Sequence, residues 1–234
     1  IQFDNGDKLT LRDFLIAKLT CTNGNDTIRG TSLDDTIVGL RGNDTLVGNV
    51  GDDFLQGDPG DDFLDGGEGN DTMFGGSGNE ILLGGSGNDT YRFGRNQGSD
   101  FVIDRTAGVG VGGEDKIVLD ADVLPVNVSL YRTSSVNSAY YNANNVDDLI
   151  LVIDGSNEQL CIADYFSTTE DMAVESIVFG NGVVWTKADI LTKLINQSGT
   201  LSNFTATTGD DTFTVDHSLD QVSGERGGHD RIES

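Results

Sequence analysis

Gly66-Gly67-Glu68-Gly69-Asn70-Asp71-Thr72-Met73 and Gly84-Gly85-Ser86-Gly87-Asn88-Asp89-Thr90-Tyr91 share one pattern, and it extends well beyond them. Acidic residues stand nine apart at Asp26, Asp35, Asp44, Asp53, Asp62, Asp71, Glu80 and Asp89. Two residues after each comes an apolar side chain: Ile28, Ile37, Leu46, Leu55, Leu64, Met73, Leu82 and Tyr91. Two before each stands glycine, at Gly24, Gly42, Gly51, Gly60, Gly69, Gly78 and Gly87, with Leu33 the exception. Five before stands glycine again, at Gly30, Gly39, Gly48, Gly57, Gly66, Gly75 and Gly84, with Cys21 the exception. Eight acids in fixed phase would arise by chance on the order of once in a million, before the glycines are counted.

A disordered acidic spacer shares this composition but has no reason to keep register. The spacing instead describes a coil. The apolar residue and its two neighbours make a three-residue strand whose middle side chain points inward. The remaining residues form a loop whose glycines permit the positive φ angles of a tight turn. Alternate nonapeptides then fall on opposite sheets, so loops n and n+2 stack. Eight half-turns give four coils, roughly 19 Å of stack at about 4.8 Å per strand. The fold class is all-β, a parallel β-roll or solenoid. Each loop turns carbonyl oxygens inward and ends in a carboxylate. One loop offers too few oxygens for Ca2+, which takes about six to eight, whereas stacked loops complete the shell together.

Composition agrees. Glycine is 32 of 234 residues, roughly twice its usual share, while proline is only 2. Acids outnumber bases 39 to 14, a net charge of −25, which argues against nucleic acid and anionic membranes as partners because both need clustered Lys or Arg. The same carboxylates are potential ligands for a hard cation. The longest apolar run, Leu149 to Ile153, is far short of a membrane span. Cys21 and Cys161 do not make a disulfide framework. The chain opens at Ile1 with no signal region, so the expectation is that a signal has been removed or that this is a piece of a longer protein.

The repeat resembles the RTX, or hemolysin-type, nonapeptide Gly-Gly-x-Gly-x-Asp-x-apolar-x over residues 21–93. The resemblance implies a calcium-stapled parallel β-roll, with each ion held by a loop's Asp plus backbone carbonyls of that loop and its stacked neighbour. Carried over by position, the side-chain ligands are Asp26, Asp35, Asp44, Asp53, Asp62, Asp71 and Asp89, with backbone contributions from Gly39, Gly48, Gly57, Gly66, Gly75 and Gly84. Stacking of n with n+2 allows at most about six inter-loop ions. The sites from Asp44 to Asp71 are expected to be the best. Glu80 replaces Asp with a longer arm, so its site is expected to be weak or empty.

A second duplication lies outside the roll. An offset of 176 aligns Ile1, Phe3, Asn5, Gly6, Thr10, Asp13 and Leu15 with Ile177, Phe179, Asn181, Gly182, Thr186, Asp189 and Leu191. Gly24-Asn25-Asp26-Thr27-Ile28 is echoed by Gly209-Asp210-Asp211-Thr212-Phe213. One module therefore spans about 185 residues. Residues 1–20 read as the tail of a preceding flanking module, 21–93 as the roll, 94–195 as a C-terminal flanking domain that caps it, and 196–234 as the start of a next repeat block, which can be disordered. The flank is mostly β: Phe101-Val102-Ile103, Lys116-Ile117-Val118-Leu119, Leu149 to Ile153 and Ser176-Ile177-Val178-Phe179 read as strands. Asn181-Gly182 signals a hairpin, and a short helix opens near Thr186 as its cap. The segments Asp164-Tyr165-Phe166 and Ile177 to Trp185 are similar to the domain that follows RTX rolls in secreted proteins. An open roll exposes a strand edge and its last coil's apolar interior. The outward Val47, Phe63, Ile81 and Leu83 are too apolar for a bare surface. The flank is expected to cover that sheet or the roll's end.

Enzymatic motifs fail. Gly108, Gly110 and Gly113 fit a dinucleotide fingerprint without the strand and helix it needs. His217 and His229 lie near the end of the chain, where His229 beside Asp230 follows Gly227-Gly228 as in another degenerate repeat loop, and Cys161 sits in an apolar strand-like context. No catalytic residue is assigned to this chain. Residues 21–93 carry 14 acids against 3 bases, so without cation the roll is expected to stay expanded. The resemblance implies a module of a large secreted or surface-bound bacterial protein, a toxin or adhesin, exported through type I secretion machinery and folding outside on calcium. Neighbouring modules of the same chain are its implied partners. The alternative is a carrier module of a secreted protease, lipase or polysaccharide-modifying enzyme whose catalytic domain lies elsewhere. An ice-binding face would need one repeated side chain, and the position three before each acid reads Asn23, Ser32, Arg41, Val50, Pro59, Glu68, Ser77, Ser86.

Overall fold

The computed structural model describes residues 21–104, 113–133, 148–155, 158–163, 165–166 and 174–196, together with four short strands within 203–233. The expectations for residues 1–20 and those resting on Asp164, His217 and His229 lie outside the described residues, as do two of the three fingerprint glycines.

Nine strands wind the roll: β1 (Thr27–Arg29), β2 (Thr36–Val38), β3 (Thr45–Val50), β4 (Phe54–Pro59), β5 (Phe63–Glu68), β6 (Thr72–Ser77), β7 (Ile81–Ser86), β8 (Thr90–Phe93) and β9 (Ser99–Ile103). Odd strands pair in parallel with odd, and even with even, giving two facing sheets. The register repeats every 18 residues, Thr27↔Thr45, Thr45↔Phe63 and Phe63↔Ile81 on one sheet and Thr36↔Phe54, Phe54↔Thr72 and Thr72↔Thr90 on the other. The coil is therefore two nonapeptides, as the spacing requires. Between the sheets lie Ile37, Leu46, Leu55, Leu64, Met73, Leu82 and Tyr91, all buried, with Ile28 of the first coil only half-buried. Burying each of these larger side chains contributes about 1.5–3 kcal/mol.

From β3 to β7 the strands run six residues, longer than the three that spacing implies. They continue through the residue four before each acid, which has positive φ yet stays in register: Asn49↔Gly67↔Gly85 and Asp58↔Gly76. Glycine takes this conformation freely, while Leu40 (φ 76°) and Asp58 (φ 71°) take it at a cost.

The flank does not sit beside the roll; it prolongs both sheets. Strand β10 (Lys116–Leu119) pairs in parallel with β8, and β14 (Ser176–Val178) and β15 (Val184–Thr186) follow it. On the other sheet β13 (Gln159–Ile162) pairs with β9, followed by β12 (Asp148–Ile153) and β11 (Val128–Thr133). Parallel pairing gives way to antiparallel at the outer strands, so the coil's open end is closed by strand addition. The inward row continues through Val102, Ile117, Leu149, Ile162 and Ile177. On the outer face Ile81 and Leu83 join Phe101, Ile103, Cys161, Ala163 and Ile150 in a second apolar cluster. The apolar outer positions thus carry on across the junction onto flank strands.

Helix α1 (Lys187–Asn196) follows β15. The Thr186 N–H and hydroxyl both donate to Asp189 Oδ2, at 2.9 and 2.7 Å, and the Asp189 N–H donates back to Thr186 Oγ1 at 3.4 Å, a reciprocal cap. Further on, β16 (Asn203–Thr205) pairs in parallel with β18 (Gln221–Ser223), and β17 (Thr212–Thr214) with β19 (Arg231–Glu233). Asn203↔Gln221 repeats the 18-residue register of the roll.

Replacing Leu40 by glycine is expected to stabilise the calcium-loaded protein by about 1 kcal/mol, because the left-handed strain is relieved. The reverse exchange, Gly76→Ala, places a Cβ 2.6 Å from the Asp58 carbonyl carbon and destabilises by more. Urea unfolding in saturating calcium checks both signs.

Candidate metal centre

Each loop delivers its acid immediately before the next strand starts, so the carboxylates stack one coil above another. One oxygen of each is used by the fold. The N–H groups of Asp26, Asp35, Asp44, Asp53 and Asp71 donate to the Oδ1 atoms of Asp44, Asp53, Asp62, Asp71 and Asp89, at 2.6–2.8 Å. Each aspartate thus staples its own coil to the preceding one. The other oxygen has no partner: Oδ2 of Asp44, Asp53, Asp62, Asp71 and Asp89 is buried and accepts no hydrogen bond.

Those free oxygens converge on backbone carbonyls of the following coil. A Cβ added at Gly39 would lie 2.5 Å from Asp44 Oδ2 and 2.7 Å from the Gly57 carbonyl oxygen. Gly48 stands in the same way between Asp53 Oδ2 and Gly66 O, Gly57 between Asp62 Oδ2 and Gly75 O, and Gly66 between Asp71 Oδ2 and Gly84 O. Oxygen-only donors from two stacked loops, anionic and dry, fit a hard divalent cation. A carboxylate oxygen buried without partner costs several kcal/mol, and a cation would remove that cost.

The remaining acids of the repeat differ. Asp26 Oδ2 accepts the Thr22 N–H at 2.6 Å and the Thr22 hydroxyl at 2.9 Å, and Thr31 treats Asp35 identically. In these two loops threonine stands four before the acid, where glycine stands in the cleanest copies, and its donors occupy the oxygen left free elsewhere. Glu80 folds back into its own loop: a Cβ at Gly75 would meet Glu80 Cγ at 2.8 Å, and one at Gly78 would meet Oε1 at 2.6 Å. Both Glu80 oxygens are buried and unbonded, and Asp100 lies against it, accepting the Glu80 N–H at 3.2 Å.

Asp100 and Asp115 extend the stapling ladders beyond the nonapeptides. Asp100 accepts from Glu80, and Asp115 Oδ1 accepts from the Asp89 N–H at 2.6 Å. The nine-residue beat does not reach them, yet Gly98-Ser99-Asp100-Phe101-Val102 and Gly113-Glu114-Asp115-Lys116-Ile117 keep Gly-x-Asp-x-apolar. A second, exposed ladder runs the other way. The residue before each acid is always Asn or Asp (Asn25, Asp34, Asn43, Asp52, Asp61, Asn70, Asn79, Asn88). The Oδ1 atoms of Asn25, Asp34, Asn43, Asp52, Asp61 and Asn70 accept the N–H 18 residues later, at 2.8–3.2 Å. That invariant position was the signal for it.

Burial pushes the Asp62 and Asp71 carboxyls up to about 6 and Asp89 to about 7, while the hydrogen bond from the preceding coil's amide pulls each partway back. Asp44 and Asp53 are raised by the same cause. A raised folded pKa means that the metal-free fold gains stability as pH falls from about 7 towards the unfolded value near 4, and loses it as pH rises again. Cation binding runs opposite, since the ligands must be deprotonated. In the overall step from the unfolded chain to the calcium-loaded roll the two effects cancel, because neither end state takes up protons until pH nears the unfolded value of about 4. The calcium midpoint of folding is therefore expected to move less than about threefold between pH 7.5 and 5.5 and to rise only as pH approaches about 4, which circular dichroism titrations at pH 7.5, 5.5 and 4 check; a rise of about tenfold already at pH 5.5 contradicts it.

Residues 22–55 and 56–91 match the family model described as RTX calcium-binding nonapeptide repeat (4 copies). Residues 148–189, which contain β12 to β15 and the start of α1, match the haemolysin-type calcium binding protein related domain. No curated protein matches the chain. RTX repeats bind Ca2+, and the stacked, buried aspartates of this roll fit that ion. The roll is thus a structural calcium-binding module of the kind found in secreted proteins. Among the described residues no helix is long and apolar enough to cross a membrane.

Proposed function

We propose that this chain is a calcium-triggered folding module of a large secreted bacterial toxin or adhesin, expanded where calcium is scarce and folded after export through a type I channel. The observation that carries the reading is the row of five buried aspartates, each with one oxygen bound to the neighbouring coil and one left without partner. Calcium, when bound, supplies positive charge and oxygen coordination to those atoms. The chain's own residues do the rest. Asp44, Asp53, Asp62, Asp71 and Asp89 each orient a carboxylate by the hydrogen bond at Oδ1, and the glycines from Gly39 to Gly84 bring carbonyls close by lacking a side chain. Asp26 and Asp35 begin the ladder at the roll's open edge, where Thr22 and Thr31 lower the need for an ion.

Without cation, 14 acids against 3 bases over residues 21–93 repel one another, and the glycines hold high conformational entropy in the unfolded chain. Binding energy is then folding energy. The domain reading follows: a roll over 21–93, a flank over 94–195 that closes it, and a next repeat block from 196, supported by the 18-residue pairing Asn203↔Gln221.

The test separates working ligands from the self-satisfied edge. Asp62→Asn and Asp71→Asn are expected to raise the calcium midpoint of folding by about tenfold or more. Asp26→Asn shifts it several-fold less, because Thr22 already serves that oxygen. Equal effects at all three positions in a calcium titration would overturn the assignment.

A further inference from the structure

The acids that the repeat does not account for gather at one place. Asp104 directly follows β9 on one sheet, and Asp115 directly precedes β10 on the other. Carboxylate oxygens of Asp89, Asp104 and Asp115 all lie within 4.8 Å of one another, and all three residues are buried. Asp104 is only 6% exposed, and its Oδ2 has no hydrogen-bond partner; the same holds for Asp89 Oδ2, on a residue with no exposed surface. The Tyr91 hydroxyl, also buried, feels the negative charge of all three.

We infer that Asp104 and Asp115 complete, with Asp89, a further calcium site that locks the flanking strands onto the last coil of the roll. The inference rests on the calcium reading of the roll but adds to Asp89 two ligands, Asp104 and Asp115, that lie outside every nonapeptide. The spacing fits the ion: carboxylate oxygens within 4.8 Å of one another can share one Ca2+, whose opposite ligands stand about 4.8 Å apart, twice a bond of about 2.4 Å, and whose water is given up more readily than that of Mg2+. Asp115 is held from behind, since its N–H donates to Glu175 Oε2 at 2.5 Å and its carbonyl accepts the Glu175 N–H at 2.9 Å. Asp89 is held by its own N–H on Asp115 Oδ1. Asp104 arrives from the opposite sheet, so an ion here ties both sheets together where the nonapeptides stop. Flank closure and roll folding would then share one calcium dependence.

The competing arrangement is a proton shared between Asp104 and Asp115 with no metal. Asp104→Asn separates the two, because it keeps the shape and a hydrogen-bond donor but removes the charge. Bound calcium per chain is counted by equilibrium dialysis at pH 7.5, and flank folding is followed by the fluorescence of Trp185, the single tryptophan, which packs against Phe179 in the flank. The expected result is one ion fewer per chain and a Trp185 midpoint at least about tenfold higher in calcium, with the roll's β signal regained at saturation. An unchanged count with an unchanged or lower midpoint overturns the junction site and leaves the roll's own sites standing. A wild-type chain that binds no calcium overturns the roll reading itself. Should Asp104→Asn not fold even in saturating calcium, the same count on Asp104→Ser decides.

Discussion

The structure depends on a divided carboxylate. In the four successive half-turns of Asp44 to Asp71, and again at Asp89, one oxygen of the aspartate is hydrogen-bonded to the preceding coil and the other is buried with nothing to accept. The first half of that arrangement sets the 18-residue stack; the second makes the stack incomplete by itself. A buried charge is tolerated only when it is paired, protonated or metal-bound. At neutral pH this acidic chain has too few basic groups to do the pairing, so a hard cation is the partner the geometry asks for.

That constraint explains the composition. Glycine five before every acid except Asp26 removes the side chain that would fill the space shared by the carboxylate and the next coil's carbonyl, as the contacts at Gly39 show. The exposed Asn/Asp ladder adds staples on the outside without competing for the metal position. Closure by strand addition then solves the edge problem of an open parallel sheet without a separate lid. Strands β10 and β13 add to β8 and β9, and the outermost pairs turn antiparallel, where short hairpins such as the one at Asn181-Gly182 can finish the sheets.

The roll was legible in the sequence because every loop has the same task and so repeats the same residues at the same interval. The coil, the inward row from Ile37 to Tyr91 and the stacking of n on n+2 all followed from spacing alone. What the spacing hid was whatever broke the interval while keeping the geometry. Asp100 and Asp115 sit at their ladder positions, but the coils that carry them have grown to 20 and 26 residues. Asp104 carries no motif at all, because its place is set by the other sheet. The difference between Asp26 or Asp35 and the later aspartates rests on Thr22 and Thr31, whose hydroxyls act on a carboxylate four residues on. The strands run past the three residues that the spacing implies because stacked copies share the positive φ at Asn49, Asp58 and Gly67 and so stay in register through it.

The central claim is that cation binding and folding are one event. A far-UV circular dichroism titration of the whole chain with Ca2+, against Mg2+ at equal concentration, tests it most directly. The account requires a steep transition from coil to β-structure with Ca2+ alone. A chain already folded in chelator, or one that responds equally to Mg2+, would contradict it and leave the roll as a static scaffold.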